Sequence, residues 1–287
     1  MSHIMDNQQV VWRWPQKGNK AMISLVRADL FKTRKRAMGW VMLIIIALFV
    51  PLQMLASALT TPTKVNYDFP GVLLQGLDPV GFLGPLLLII LGAVIVGSEY
   101  GYDTWKNLLT RRAGRVPFIM SKWLVLVVVI GIGLIVLVPL GLALGLALNA
   151  SLHLTGPTAQ LSLGSVLVII LLQTLTPLMA GSIAIMGAVI GRSSVAGIIA
   201  GIAWFLLDSL LGGIFAPASF TSSIGVLQAQ LTGVAQSSNG SIAQVHISGV
   251  LAGPLGVIPG LLVVIYLVIP IAIATYLFKK RDMIGVG

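Results

Sequence analysis

Six long apolar stretches dominate this chain, at about 38–58, 80–97, 118–148, 161–190, 195–215 and 255–278. An α-helix needs about 20 apolar residues to cross a hydrocarbon core of about 30 Å. Inside that core no water pairs with a backbone N–H or C=O, so a spanning segment must be a helix or part of a closed barrel. The period-2 alternation of a membrane barrel is absent. The sequence therefore predicts an all-α integral membrane protein with six transmembrane helices. Charge supports this: 9% of the residues are charged, against about 25% in soluble domains. Several spans contain proline. Pro51 lies in the first and Pro177 in the fourth, while Pro254, Pro259 and Pro270 blur the start of the sixth. The third is longer than a bilayer requires, so it must tilt, protrude or break near Pro139.

The cations set the expected orientation. Of 18 Lys and Arg, all but Lys64 lie before span one, between spans two and three, at Arg192, or after span six. Excess Lys and Arg mark the cytoplasmic side, so both termini are expected in the cytoplasm. The net charge of +10 sits at the ends of apolar runs, where it meets anionic headgroups rather than nucleic acid. No cleavable signal is evident. The sequence has no cysteine, which excludes disulfides and thiolate chemistry.

Residues 1–20 read as a flexible polar tail with Trp12 and Trp14 as interfacial anchors, ahead of a single transmembrane domain over 21–287. Residues 21–37 read as an amphipathic helix. Met22, Ile23, Val26 and Leu30 fall on one side; Arg27, Lys32, Arg34, Lys35 and Arg36 lie elsewhere. Such a helix either lies in the interface plane or continues span one into water. The external loop 216–249 has no Lys, Arg, Asp or Glu, and Ile224, Leu227, Leu231 and Val234 recur in it at helical spacing. It either dips back toward the membrane or packs as a plain loop.

Asp208 is the one acid deep in a span, which makes it a candidate for a transport path. No basic residue in another span offers it a partner, so water or hydrogen bonds from a neighbouring helix must serve. Small residues recur as Gly181, Gly187 and Gly191 in span four and Gly197 and Gly201 in span five, a pattern that permits close helix packing. Gln173, Thr174 and Thr176 surround Pro177 and are placed to satisfy the backbone groups it frees. Enzymatic signatures are missing. There is no phosphate-binding Gly-x-x-x-x-Gly-Lys-Ser/Thr loop, no HExxH or GxSxG, and His3, His153 and His246 lack metal-ligand spacing.

Between spans two and three lies a polar island, Glu99 to Lys122, with Lys106, Arg111, Arg112 and Arg115 inside it. A helix starting near Asp103 would place Tyr102, Trp105, Leu108 and Leu109 on one face. Asp103 suits the N-cap and Gly114 the stop. Glu99 can pair with Arg111, Arg112 or Lys122, or cap the following helix. The island reads either as a handle for another protein or as a basic loop at the headgroups.

This topology and island resemble the membrane-spanning subunit of ABC-2 type transporters, nearest to bacterial exporters of the bacitracin- and lantibiotic-resistance kind. Glu99, Thr104, Leu108, Leu109, Arg115 and Lys122 match that family's segment after span two; Asp103 stands where glycine is common. The resemblance implies a type V exporter-like bundle with an N-terminal interface helix in the bacterial cytoplasmic membrane. It also implies a second copy of the chain, or a related permease, and a separate ABC ATPase that carries ATP and Mg. By the same resemblance, this chain is no enzyme and binds no cofactor. Residues 99–115 would be the ATPase-coupling segment, with Glu99, Tyr102, Asp103, Trp105, Leu108, Leu109, Arg111, Arg112 and Arg115. The dimer would use spans one and five. Cargo would be amphipathic or lipid-like, because the spans supply few polar groups to a cavity. Two other classes stand beside this: an ion-coupled carrier built on Asp208, and a non-transporting scaffold or sensor.

Overall fold

A computed structural model describes residues 18–35, 37–60, 71–101, 115–152, 162–214, 219–232, 234–236, 242–244 and 257–281. Among them are eight helices: α1 (Gly18–Lys35), α2 (Ala37–Thr60), α3 (Gly71–Gly101), α4 (Arg115–Leu152), α5 (Leu163–Gly191), α6 (Ser194–Ile214), α7 (Phe220–Thr232) and α8 (Val257–Arg281). A short antiparallel hairpin joins β1 (Val234–Gln236) to β2 (Ile242–Gln244), with Ala235 opposite Ala243. Six helices are long and apolar enough to cross a membrane: α2, α3, α4, α5, α6 and α8.

Proline interrupts none of them. Pro51, Pro79, Pro85, Pro139, Pro177 and Pro270 all lie inside continuous helices. The 38-residue α4 is about 57 Å long at about 1.5 Å per residue, so it outruns the hydrocarbon core without breaking at Pro139. The helix containing span two also starts earlier than its apolar run, at Gly71, and carries Gln75 and Asp78 before Pro79. Ser162 caps α5 by accepting from Ser165 N at 3.1 Å. The turn into α6 is made by Arg192 in the left-handed region, φ 51°. Ser193 Oγ then accepts from Val195 N at 3.2 Å.

The α3–α5 pair forms the centre. Their most apolar windows are 61% and 67% buried, while no other span exceeds 22%. Lipid is as apolar as leucine, so helices associate there by close packing rather than by escape from water. Glycine makes that approach possible. A Cβ built on Gly92 of α3 would stand 2.8 Å from Gly181 O of α5, and one on Gly76 would stand 2.9 Å from Gly141 Cα of α4. The Gly197–Gly201 pair serves the same interior: Cβ atoms there would meet Ala184 O at 2.7 Å and Ile89 Cγ2 at 2.6 Å. That pair is thus spent on holding α6 against α3 and α5.

At one end of the bundle, Phe118 stacks on Phe278 with ring centroids 5.2 Å apart, joining α4 to α8 beside buried Val96 and Ile119. At the other end, Val50, Met54, Val72 and Leu77 bind α2 to α3. Replacing Gly92 with Val should cost about 1–3 kcal/mol, because the added methyls meet backbone rather than a flexible side chain. Gly131→Ala, where a Cβ meets nothing within 4 Å, should leave thermal unfolding in detergent no lower than wild type.

Candidate functional site

Three helices bring charge together at the two flanks of the polar island. Asp29 and Lys32 lie three residues apart on α1 and so share a face. Glu99 stands in the last turn of α3, and Lys122 in the second turn of α4. Lys122 Nζ donates to both Asp29 carboxylate oxygens, at 2.8 and 2.9 Å, and to Glu99 Oε1 at 3.3 Å. An ammonium carries three donors, and these contacts use all three. The same Nζ lies 4.9 Å from the centroid of Phe118. Glu99 Oε1 also accepts from Lys32 at 3.1 Å.

Burial separates the members. Lys122, Asp29 and Glu99 side chains are 2%, 8% and 6% exposed, while Lys32 is half exposed. Among these four side chains, two cations face two anions. Removing one buried member strands its partner in a medium that solvates charge poorly. The arrangement clamps α1 to both flanks of the island, Glu99 before it and Lys122 after it.

Of the expected coupling residues, Glu99 is placed in this clamp with Lys122. Its other named partners, Arg111 and Arg112, lie outside the described residues, as do Tyr102, Asp103, Trp105, Leu108 and Leu109. Arg115 opens α4. Asp29 went unrecognised in the sequence, where Lys32 stood out only as one cation of the polar side. Asp29 sits on the apolar side of α1 with Val26 and Leu30, both packed against the core. An acid on an apolar face needs a buried cation, and that signal could have found it.

Asp208 forms a second polar centre toward the opposite end, about 21 Å beyond Ser194 along α6. It is 3% exposed. Its Oδ1 accepts from Phe220 N at 2.7 Å; its Oδ2 accepts from Thr221 N at 3.3 Å, Thr221 Oγ1 at 2.7 Å and Ser219 Oγ at 3.3 Å. Ser219 Oγ in turn accepts from Ser222 N at 3.2 Å. The first N–H groups of a helix have no partner within it. Here Asp208 serves the first two of α7, and Ser219 the third. The helix dipole adds to the attraction. Phe220, Trp204 and Tyr266 close over this contact, with centroids 5.6 to 6.5 Å apart. The uncharged segment after span five thus begins deep among α5, α6 and α8, with Phe220 and Ile224 buried.

A sequence profile described as ABC-2 family transporter protein matches residues 25–208, well over half the chain. The chain belongs to that family. The match runs from α1 to Asp208 and contains every member of the clamp. No curated protein matches the chain. An ABC-2 permease is the transmembrane component of its transporter and generally works with an ABC ATPase.

For this permease, Lys122→Met should lower stability by about 3–5 kcal/mol, because it strands Asp29 and takes a buried cation from Glu99. Adding Asp29→Leu should recover most of that loss in a double-mutant cycle read by thermal unfolding. Asp208→Asn should speed amide exchange at residues 219–223 and leave the α1–α4 end unchanged, as read by hydrogen-exchange mass spectrometry.

Proposed function

We propose that this chain is the membrane subunit of an ATP-driven ABC-2 exporter of the bacitracin- and lantibiotic-resistance kind, moving an amphipathic or lipid-like cargo. A separate ATPase chain holds ATP and Mg, and the permease works as a dimer with a second copy or a related chain. Both termini face the cytoplasm of the bacterial inner membrane. The observation that carries this reading is the clamp of Asp29, Glu99 and Lys122 at both flanks of the island, within a chain of the ABC-2 family.

The mechanism follows from that clamp. The island, as a coupling helix, seats Tyr102, Trp105, Leu108 and Leu109 in a groove of the ATPase or at the base of the bundle. Closure of the ATPase pair on ATP displaces the island. Because both flanks are ion-paired to α1, the push moves α1, α3 and α4 together rather than bending a loop. Rigid-body motion of packed helices then alternates access to a cavity between the two bundles. Exposed apolar stripes support a dimer through spans one and five: Ile44, Leu48, Leu52 and Leu59 on α2, and Ile199, Leu206 and Leu210 on α6.

A carrier that works alone through Asp208 is the second reading. The four hydrogen bonds that Asp208 accepts at α7 favour a capping role instead. No uptake driven by a pH gradient is expected in proteoliposomes without an ATPase; such uptake, abolished by Asp208→Asn, would establish the carrier instead. A scaffold or sensor would move no cargo in the reconstituted complex. Trp105→Ala with Leu108→Glu should abolish co-purification of the ATPase at unchanged permease yield. Co-purification at the wild-type level would remove the coupling role.

A further inference from the structure

An apolar cavity of about 430 Å³ opens between α1, α2, α3 and α4. Leu91, Leu87 and Val80 of α3 line one wall, Ile130, Gly133 and Leu137 of α4 another. From Leu91 to Val80 it follows α3 for about 16 Å, roughly half of a hydrocarbon core of about 30 Å, or one leaflet. Its wall is hydrocarbon except near one end, where Thr33, Arg34 and Trp40 meet it. Two of these polar groups are already occupied. Thr33 Oγ1 donates to Asp29 O at 2.9 Å, and Trp40 Nε1 donates to Arg34 O at 3.1 Å.

The Arg34 guanidinium is different. Arg34 lines the cavity, is exposed and makes no ion pair among the described residues. The nearby acids Asp29 and Glu99 are engaged with Lys122 and Lys32. Arg27 and Lys35, also exposed, add positive charge to the same helix.

We propose that this cavity is a binding site for one anionic glycerophospholipid. One acyl chain lies between α2, α3 and α4, and the phosphate pairs with Arg34. Water gains nothing in a space lined by leucine, isoleucine and valine. A chain fills it without cost to any polar group. Guanidinium suits phosphate because its planar fork donates two parallel hydrogen bonds. A second copy of this chain is a poorer occupant, because it would set its own basic α1 against this one. Placing the lipid in the cytoplasmic leaflet rests on the orientation proposed above; binding itself does not.

The test uses the full-length protein in nanodiscs holding equal amounts of phosphatidylglycerol and phosphatidylcholine, followed by native mass spectrometry. One phosphatidylglycerol per chain should survive release from the disc. Gly133→Phe puts a ring where a Cβ meets nothing within 4 Å. It should reduce retained lipid about tenfold, with elution volume unchanged. Arg34→Gln should keep a bound lipid but lose the preference for phosphatidylglycerol. Retention at the wild-type level in Gly133→Phe, or an unchanged preference in Arg34→Gln, would overturn the proposal. A photoactivatable phosphatidylglycerol gives an independent reading on the wild-type chain, whatever Gly133→Phe does to folding. Labelling of residues 130–137 is expected; labelling confined to other segments overturns the site. Disulfide formation between two Gly133→Cys copies in membranes would assign the cavity to a second copy instead. ATPase-driven transport enters none of these readouts, so failure here leaves the exporter reading standing.

Discussion

The Lys122 ammonium governs how this bundle is put together. Its side chain is 2% exposed, and a buried cation without acceptors is far costlier than any single packing contact. Asp29 of α1 and Glu99 of α3 supply those acceptors. A buried ion cluster contributes little net stability beside apolar side chains of the same volume. It favours one register of α1, the one that brings Asp29 to Nζ. Apolar side chains alone would permit α1 to slide, since Val26 and Leu30 find hydrocarbon at many positions.

The rest of the bundle answers to the solvent it occupies. Lipid gives helices no hydrophobic reason to associate, so backbone approach and side-chain fit must do it. That explains why the tightest contacts fall at glycines. Gly92 against Gly181 brings α3 to α5, and Gly197 and Gly201 bring α6 to both. The same logic explains the cavity beside α2. There large side chains keep the helices apart, and Gly133 on α4 leaves open space.

Asp208 answers the same scarcity of polar partners from the other side. A helix that begins within a bundle presents N–H groups with no water to meet them. Placing one carboxylate and one hydroxyl at that point satisfies three of them. Asp208, the acid that the sequence marks as a candidate transport group, accepts these bonds at the start of α7. The hairpin of β1 and β2 follows α7 directly. Its strands are three residues each, too short to carry a pattern, which is why helical spacing from Ile224 to Val234 pointed past the end of the helix.

Six spans, their helical form and a basic, partly amphipathic start were legible in the sequence, because each follows from local composition against a fixed bilayer thickness. The charge of the island also stands out between apolar runs, and its flanks Glu99 and Lys122 lie in the clamp. Which charges meet was not legible. Lys122 and Asp29 lie 93 residues apart, and Asp208 finds its partners 11 to 13 residues further along the chain rather than on another span. Sequence periodicity reports which face of a helix is apolar; it does not report which helix lies opposite. Tertiary packing decided that, because a charge removed from water takes whatever partner the glycine-set approach of the helices delivers.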